Sequence, residues 1–222
     1  MGGLDLCCPV CEREIQKVMK HKVLVIDAHP DKESYIRVLA ENYYKQSRLA
    51  GCNVALIALR DLKFELNLLH GYRKPLPLEP DLVKAQEQIK NARHIVLLYP
   101  NWWGTYPALL KGFIDRTFLP GFAFKYRKGT VYWDKLLKGR SARLIVTMDT
   151  PGWFYEKVFG QPGHNSMKKN ILEFCGIKPV TIDVFQPLRT SEPETREEWI
   201  ATVGEMALQD NQMLSVIQPR KE

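Results

Sequence analysis

The chain has 222 residues, 32 basic and 25 acidic side chains for a formal net charge of +7, 45% apolar residues and 26% charged ones. Those proportions belong to a globular protein. The apolar runs are five or six residues long and too short to span a bilayer, and the first twenty residues lack the apolar stretch of a secretory signal. No stable membrane insertion is therefore expected, and a cytoplasmic location is.

The basic excess admits either nucleic acid or an anionic small molecule as partner. Its densest stretch, Lys125, Arg127, Lys128, Lys135, Lys138, Arg140 and Arg143, is interleaved with aromatics, but no helix-turn-helix, zinc-finger or RNA-recognition signature accompanies it. Nucleic acid is not the expected partner.

In chain order, the first feature is Cys7, Cys8 and Cys11 in "CCPVC". Five cysteines without a secretory signal argue against a disulfide framework, and no second CxxC completes a zinc site, so no metal is expected. Residues 1–21 read as an extension, expected to be flexible, ahead of a domain spanning 22–222. Met19 stands directly before "KHKVLVI".

"KVLVIDAH" (22–29) predicts a strand buried on both faces. "SYIRVLAENYYKQSRLAG" predicts an amphipathic helix with Ser34 as N-cap and Gly51 as stop. "NVALIAL" (53–59) is a second strand, a proline-rich connection leads to a helix over 81–92, and "HIVLLY" (94–99) is a third strand followed by a helix over 107–118. "FAFKYRKGTVYW" alternates around a Lys-Gly turn and predicts a hairpin. "ARLIVTMD" (142–149) is the fourth core strand, 165–176 a helix, and "KPVTIDVF" (178–185) the fifth core strand. A last long helix starts near Pro193, with acidic residues in its first turn. Strands alternating with helices predict parallel pairing in a doubly wound, three-layer α/β sheet. In such sheets ligands bind beyond the carboxyl ends of the strands.

Three of those ends carry unusual residues. "HPDKES" (29–34) opens a helix at Ser34, so helix amides, the Ser34 hydroxyl and His29 suit an anion such as a phosphate. "PNWWGTYP" sets two tryptophans in a loop; one is expected in the core, and the other, Trp103, is expected against a conjugated ring that Gly104 lets approach. "DTPGWFY" (149–155) adds another glycine turn with aromatics. Together the three loops describe a flavin-sized pocket. GxGxxG and GxxxxGK[ST] are both absent.

"AHPDKES", "YPNWWGTYPALLKGFIDRTFLPGFAFKY" and "DTPGW…PGH…ILEFCGIKPV" resemble the flavodoxin-like NAD(P)H:quinone oxidoreductase family from about Lys22 to Ala207. The resemblance implies a five-stranded parallel sheet in the order 2-1-3-4-5 and a homodimer. It also implies a non-covalent flavin, FMN or FAD, which NAD(P)H reduces and a quinone or other small aromatic acceptor reoxidises by ping-pong exchange. By position, His29, Ser34 and Tyr35 are implied at the phosphate and ribityl part. Pro100, Asn101, Trp102, Trp103 and Gly104 are implied along the flavin ring, Asp149, Thr150, Pro151 and Gly152 on its pyrimidine side, and Tyr155 and His164 as the catalytic pair. Two positions depart from the family pattern. Ser34-Tyr35-Ile36 lacks the Asn of Ser-x-Asn, and Asp149-Thr150-Pro151-Gly152 stands where Thr-Thr-Gly-Gly is usual, bringing a carboxylate close to the ring and removing a backbone donor. Two other functions fit the same fold: an accessory flavin-binding subunit of a membrane transport system, or a non-catalytic electron carrier, which the positive charge disfavours.

Overall fold

β-branched and leucine-rich runs with apolar residues at every position can be satisfied only in the middle of a layered structure, and that is where they lie. The computed structural model describes residues 22–74 and 76–216; the proposed cysteine extension lies outside them. β1 (Lys22–Asp27), β2 (Asn53–Ala58), β3 (His94–Pro100), β6 (Ser141–Thr147) and β7 (Val180–Phe185) form one sheet in the order β2-β1-β3-β6-β7. Every pairing in it is parallel. The expected 2-1-3-4-5 order therefore holds among the five core strands. β3 and β6 are buried at every position.

Helices cover both faces. α1 (Tyr35–Leu49) and α6 (Pro193–Val216) pack on one, burying Ile36, Leu39, Tyr43, Val203 and Ala207 against Val23, Val25 and Val96. α2 (Pro80–Asn91) and α3 (Ala108–Thr117) pack on the other, against Leu24, Ile26, Leu97 and Leu144. Ser34 caps α1, its Oγ accepting from the Arg37 N–H at 3.3 Å, as its position ahead of the apolar repeat predicts. β4 (Phe124–Tyr126) and β5 (Trp133–Lys135) make the expected hairpin.

The basic stretch is largely consumed internally. Arg127 pairs with Asp134, Lys135 donates to the Glu173 carbonyl, Arg140 to the Ile89 and Lys90 carbonyls, and Arg143 is buried in the sheet. The proline-rich connection between β2 and α2 is held by Arg116 of α3, whose guanidinium is buried and donates to the Glu65 and Pro77 carbonyls and to Glu79 Oε2.

One helix departs from expectation. The stretch read as a helix over 165–176 begins earlier, as α5 (Pro162–Asn165), and continues as a π-helix from Ser166 to Glu173. A π-helix is wider than an α-helix and is frequent at functional sites; apolar spacing alone could not distinguish the two. No described helix is long and apolar enough to cross a membrane.

Candidate functional site at the carboxyl ends of the sheet

Because β1, β3 and β6 run parallel, their following loops gather at one end of the sheet, and side chains tie them together. The His29 ring meets Trp102 edge-on, with centroids 5.4 Å apart. Tyr155, on α4 (Gly152–Lys157) after β6, donates its hydroxyl to the Gly104 carbonyl at 2.8 Å and accepts from the Gly163 N–H at 3.0 Å. Gly163 itself donates to Gly104 O at 2.9 Å, and a Cβ there would stand 2.7 Å from that oxygen, so only glycine admits this approach. Loops after β3 and β6 are thus locked at one point.

The loop after β3 turns sharply. Trp102 and Thr105 exchange backbone hydrogen bonds at 3.0 and 2.9 Å, and the residues between them, Trp103 and Gly104, both have positive φ, 52° and 75°. That is the φ signature of a type I′ turn, which favours Asn-Gly; a bulky aromatic at its first position is strained. Among the described residues nothing accepts from the Trp103 or Gly104 N–H groups. Trp102 is 44% exposed and Trp103 fully so. The expectation that one tryptophan is core is therefore corrected. β3 ends with its apolar needs met by Tyr99 and Pro100, and the tight turn throws both indoles outward.

In the first loop, His29 Nδ1 accepts from the Asp31 N–H at 3.0 Å, which leaves its proton on Nε2. Burial pushes its pKa below the ordinary value, against the pull of Asp27 and Asp31. Tyr35 does not send its hydroxyl into the cleft, since it donates to the Arg196 carbonyl on α6 at 2.5 Å. What Tyr35 can offer an anion is its place in the unsatisfied first turn of α1.

In the third loop, Asp149 Oδ1 accepts from the Arg189 N–H at 2.7 Å, tying the loops after β6 and β7. That carboxylate oxygen is thus a structural acceptor between the two loops. Gly152 sits against Gln186, whose Nε2 would lie 2.3 Å from a Cβ there. Asn101 donates its amide to Met148 Sδ at 3.5 Å.

Tyr155 and His164 stand together, ring centroids 4.9 Å apart and edge to face. Both are buried, at 1% and 6% exposure. Burial raises the Tyr155 pKa, opposed by backbone hydrogen bonds from Gly163 and His164, and lowers that of His164. His164 Nε2 is buried without a partner, as are Thr147 Oγ1 at the end of β6 and Gln186 Oε1 after β7. Unsatisfied buried polar atoms are uncommon in folded proteins. These three lie at the strand ends and loops that also carry two exposed indoles and two free amides, which suits a flat ring with polar edges.

Sequence reading missed Asp27, Arg60, Thr147 and Gln186. Asp27 left a signal, a charged residue inside "VLVIDAH" that one strand face could not have left exposed. Arg60 and Gln186 are placed by tertiary structure alone. Among the described residues no group of three or more His, Cys, Asp or Glu could hold a metal ion.

The family with a flavodoxin-like fold matches residues 21–207. An uncharacterized NAD(P)H oxidoreductase of Haemophilus influenzae is 29% identical over 195 residues, covering 85% of this chain and 93% of its own. The mouse ribosyldihydronicotinamide dehydrogenase [quinone] is 26% identical over 205 residues, covering 82% and 88%. Among solved structures, an FMN-dependent NADH-azoreductase of Bacillus anthracis in complex with FMN superposes with a TM-score of 0.67 at 22% identity, covering 86% and 100%. With the fold, the strand order and the loop cluster in agreement, the chain belongs to the flavodoxin-like family, among relatives named as an NAD(P)H oxidoreductase and a ribosyldihydronicotinamide dehydrogenase [quinone].

Proposed function

We propose that this protein is a flavin-dependent NAD(P)H:quinone oxidoreductase that reduces a quinone or a similar small aromatic acceptor. The single observation that carries the reading is the Trp102–Thr105 turn. It presents two unused amides and two exposed indoles beside a buried, unpaired imidazole. The relatives' names point the same way, and the FMN complex on the same fold favours FMN over FAD.

The residues present fit such a group. Ser34 and the first-turn amides of α1 would hold its phosphate, with His29 and Tyr35 framing the ribityl part. Trp102, Trp103 and Gly104 would line the ring and Pro100 and Asn101 its base, while Asp149, Thr150, Pro151 and Gly152 border its other edge. The bound flavin supplies hydride transfer from nicotinamide to acceptor. The protein supplies orientation, a dry wall of indoles and a proton position. His164, held neutral by burial, keeps Nε2 free to hydrogen-bond an acceptor oxygen as charge develops on it. Tyr155 has its hydroxyl committed to Gly104 and Gly163, so its part is to fix the two loops and the edge on which His164 rests.

The domain is read as 22–222, acting in the cytoplasm as a homodimer. Exposed Tyr72 and Tyr126, on the side of α3 and the β4–β5 hairpin, support a covered apolar face. Sedimentation would settle the dimer.

The purified protein is expected to be yellow, to release FMN on denaturation, and to oxidise NAD(P)H over many turnovers when a quinone is present. His164→Ala should keep the flavin and lose about 100-fold or more in turnover. A colourless protein that cannot be loaded with FMN or FAD overturns the reading. Flavin binding without turnover would return the accessory-subunit or electron-carrier function.

A further inference from the structure

Asp27 closes β1 with a carboxylate only 1% exposed, in a strand otherwise made of Lys22, Val, Leu and Ile. Its Oδ1 accepts from the His29 N–H at 3.1 Å and its Oδ2 from Arg60 NH1 at 2.6 Å. Arg60 comes from the short 3-10 turn Leu59–Asp61 after β2, and the same nitrogen also donates to the His29 carbonyl at 3.3 Å. The pair thus grips both peptide groups that flank the His29 Cα. From His29 the constraint passes to Asp31 through the imidazole Nδ1, and to Trp102 through the ring edge.

As a device for stability this pair is poor. Burying two charges costs about as much as their attraction returns unless every polar group finds a partner, and Arg60 Nε is buried with none. An apolar contact would fill the same space without that cost. What an apolar contact could not do is hold the His29 peptides. A lone carboxylate in that position would also repel an anion at the start of α1, and Arg60 cancels that charge.

The geometry points to Asp27 and Arg60 as a positioning pair for the phosphate end of the bound flavin, preforming the His29–Ser34 loop while keeping its floor neutral. This rests on the flavin reading above. Both side chains are buried and bonded to the His29 backbone, so their effect is exerted through the loop.

The test titrates apoprotein with FMN and with riboflavin, which lacks the phosphate, following quenching of flavin fluorescence, in wild type, Arg60→Met, Arg60→Lys and the double variant Asp27→Asn/Arg60→Met. Arg60→Met, with an unpaired carboxylate beneath the loop, should weaken FMN by about 100-fold. The double variant, free of the charge but lacking the Arg60 tether to the His29 carbonyl, should remain about 10-fold weaker than wild type. Arg60→Lys should fall between wild type and Arg60→Met. Riboflavin should weaken several-fold less than FMN in each variant, and the double variant should melt close to wild type. A double variant that binds FMN as wild type does overturns the proposal. So does a series in which riboflavin weakens as much as FMN, or a double variant that no longer folds, which would make the pair part of the core. Wild-type protein that takes up neither flavin instead sinks the flavin reading itself.

Discussion

At the amino ends of β3 and β6, Arg143 sends Nε and NH2 to the two oxygens of Asp210 at 2.6 and 2.8 Å and NH1 to Asp183 at 2.5 Å. Tyr43 donates to the same Asp210 carboxylate at 2.7 Å, His94 Nε2 lies 3.3 Å from it, and His94 Nδ1 meets Ser141 Oγ at 2.8 Å. At the carboxyl ends of the same sheet the buried polar atoms of Thr147, His164 and Gln186 end on nothing. Both clusters are buried and both link loops or helices to strands. The first is hydrogen-bonded almost throughout, His94 Nε2 alone lacking a hydrogen bond within it, and fastens α6 to α1 and the sheet. The second leaves its buried polar atoms without partners, at the end of the sheet that also carries two exposed tryptophans. Buried polarity that is bonded nearly throughout reads as architecture, and several unpartnered buried polar atoms beside exposed aromatics are what a ligand site would offer.

The sharpest way to break this comparison is Asp210→Ala. Burial alone would push the Asp210 pKa up, but its contacts with His94 and Arg143 outweigh that and hold it well below the usual carboxylate range. Removing it strands Arg143 in the sheet with only Asp183 as counter-ion, so urea unfolding should show a loss of about 3–5 kcal/mol. Flavin affinity of the folded fraction should not change. A loss below about 1 kcal/mol would mean that the amino-end network is not the fastening described.

Trp103→Ala should do the reverse. Its side chain packs on nothing in the free protein, so unfolding free energy should move by no more than about 0.5 kcal/mol. Flavin retention, followed by equilibrium dialysis, should fall about tenfold, the worth of one aromatic contact. Unchanged retention would remove Trp103 from the ring wall.

The smallest effect is on pH. Burial holds His164 below the ordinary 6.5, so the unfolded chain binds more protons than the native one at mildly acidic pH. Stability should therefore be flat above about pH 6.5 and decline as pH falls below it. His29 is shifted the same way, so His164→Gln should remove only part of the slope. A slope untouched by His164→Gln would show that the imidazole is not buried as described.

The β-branched runs and their helical partners made the sheet and its parallel order readable, because burial on both faces leaves an unbroken apolar signature. The three loops were readable for the same reason, being what remains at the strand ends. Contacts within that frame were not. Nothing in "PNWWG" shows that Trp103 adopts positive φ, because that conformation is imposed by the Trp102–Thr105 bonds against the residue's own preference. Tyr155 looked like a free hydroxyl until Gly104 and Gly163, 51 and 8 positions away, were brought to it. The Asp149 carboxylate gave no hint of the Arg189 amide, which lies 40 positions on.

The Trp103–Gly104 turn bears on how this protein could be improved or spoiled. Asparagine is the favoured residue at its first position, and nothing in the free protein would miss the indole. A selection for thermal tolerance alone would therefore favour Trp103→Asn, because the change relieves strain and uncovers no cavity. If the proposed flavin site is right, each such survivor would be sturdier and less able to keep the flavin. Directed evolution of this scaffold needs activity in the screen from the first round.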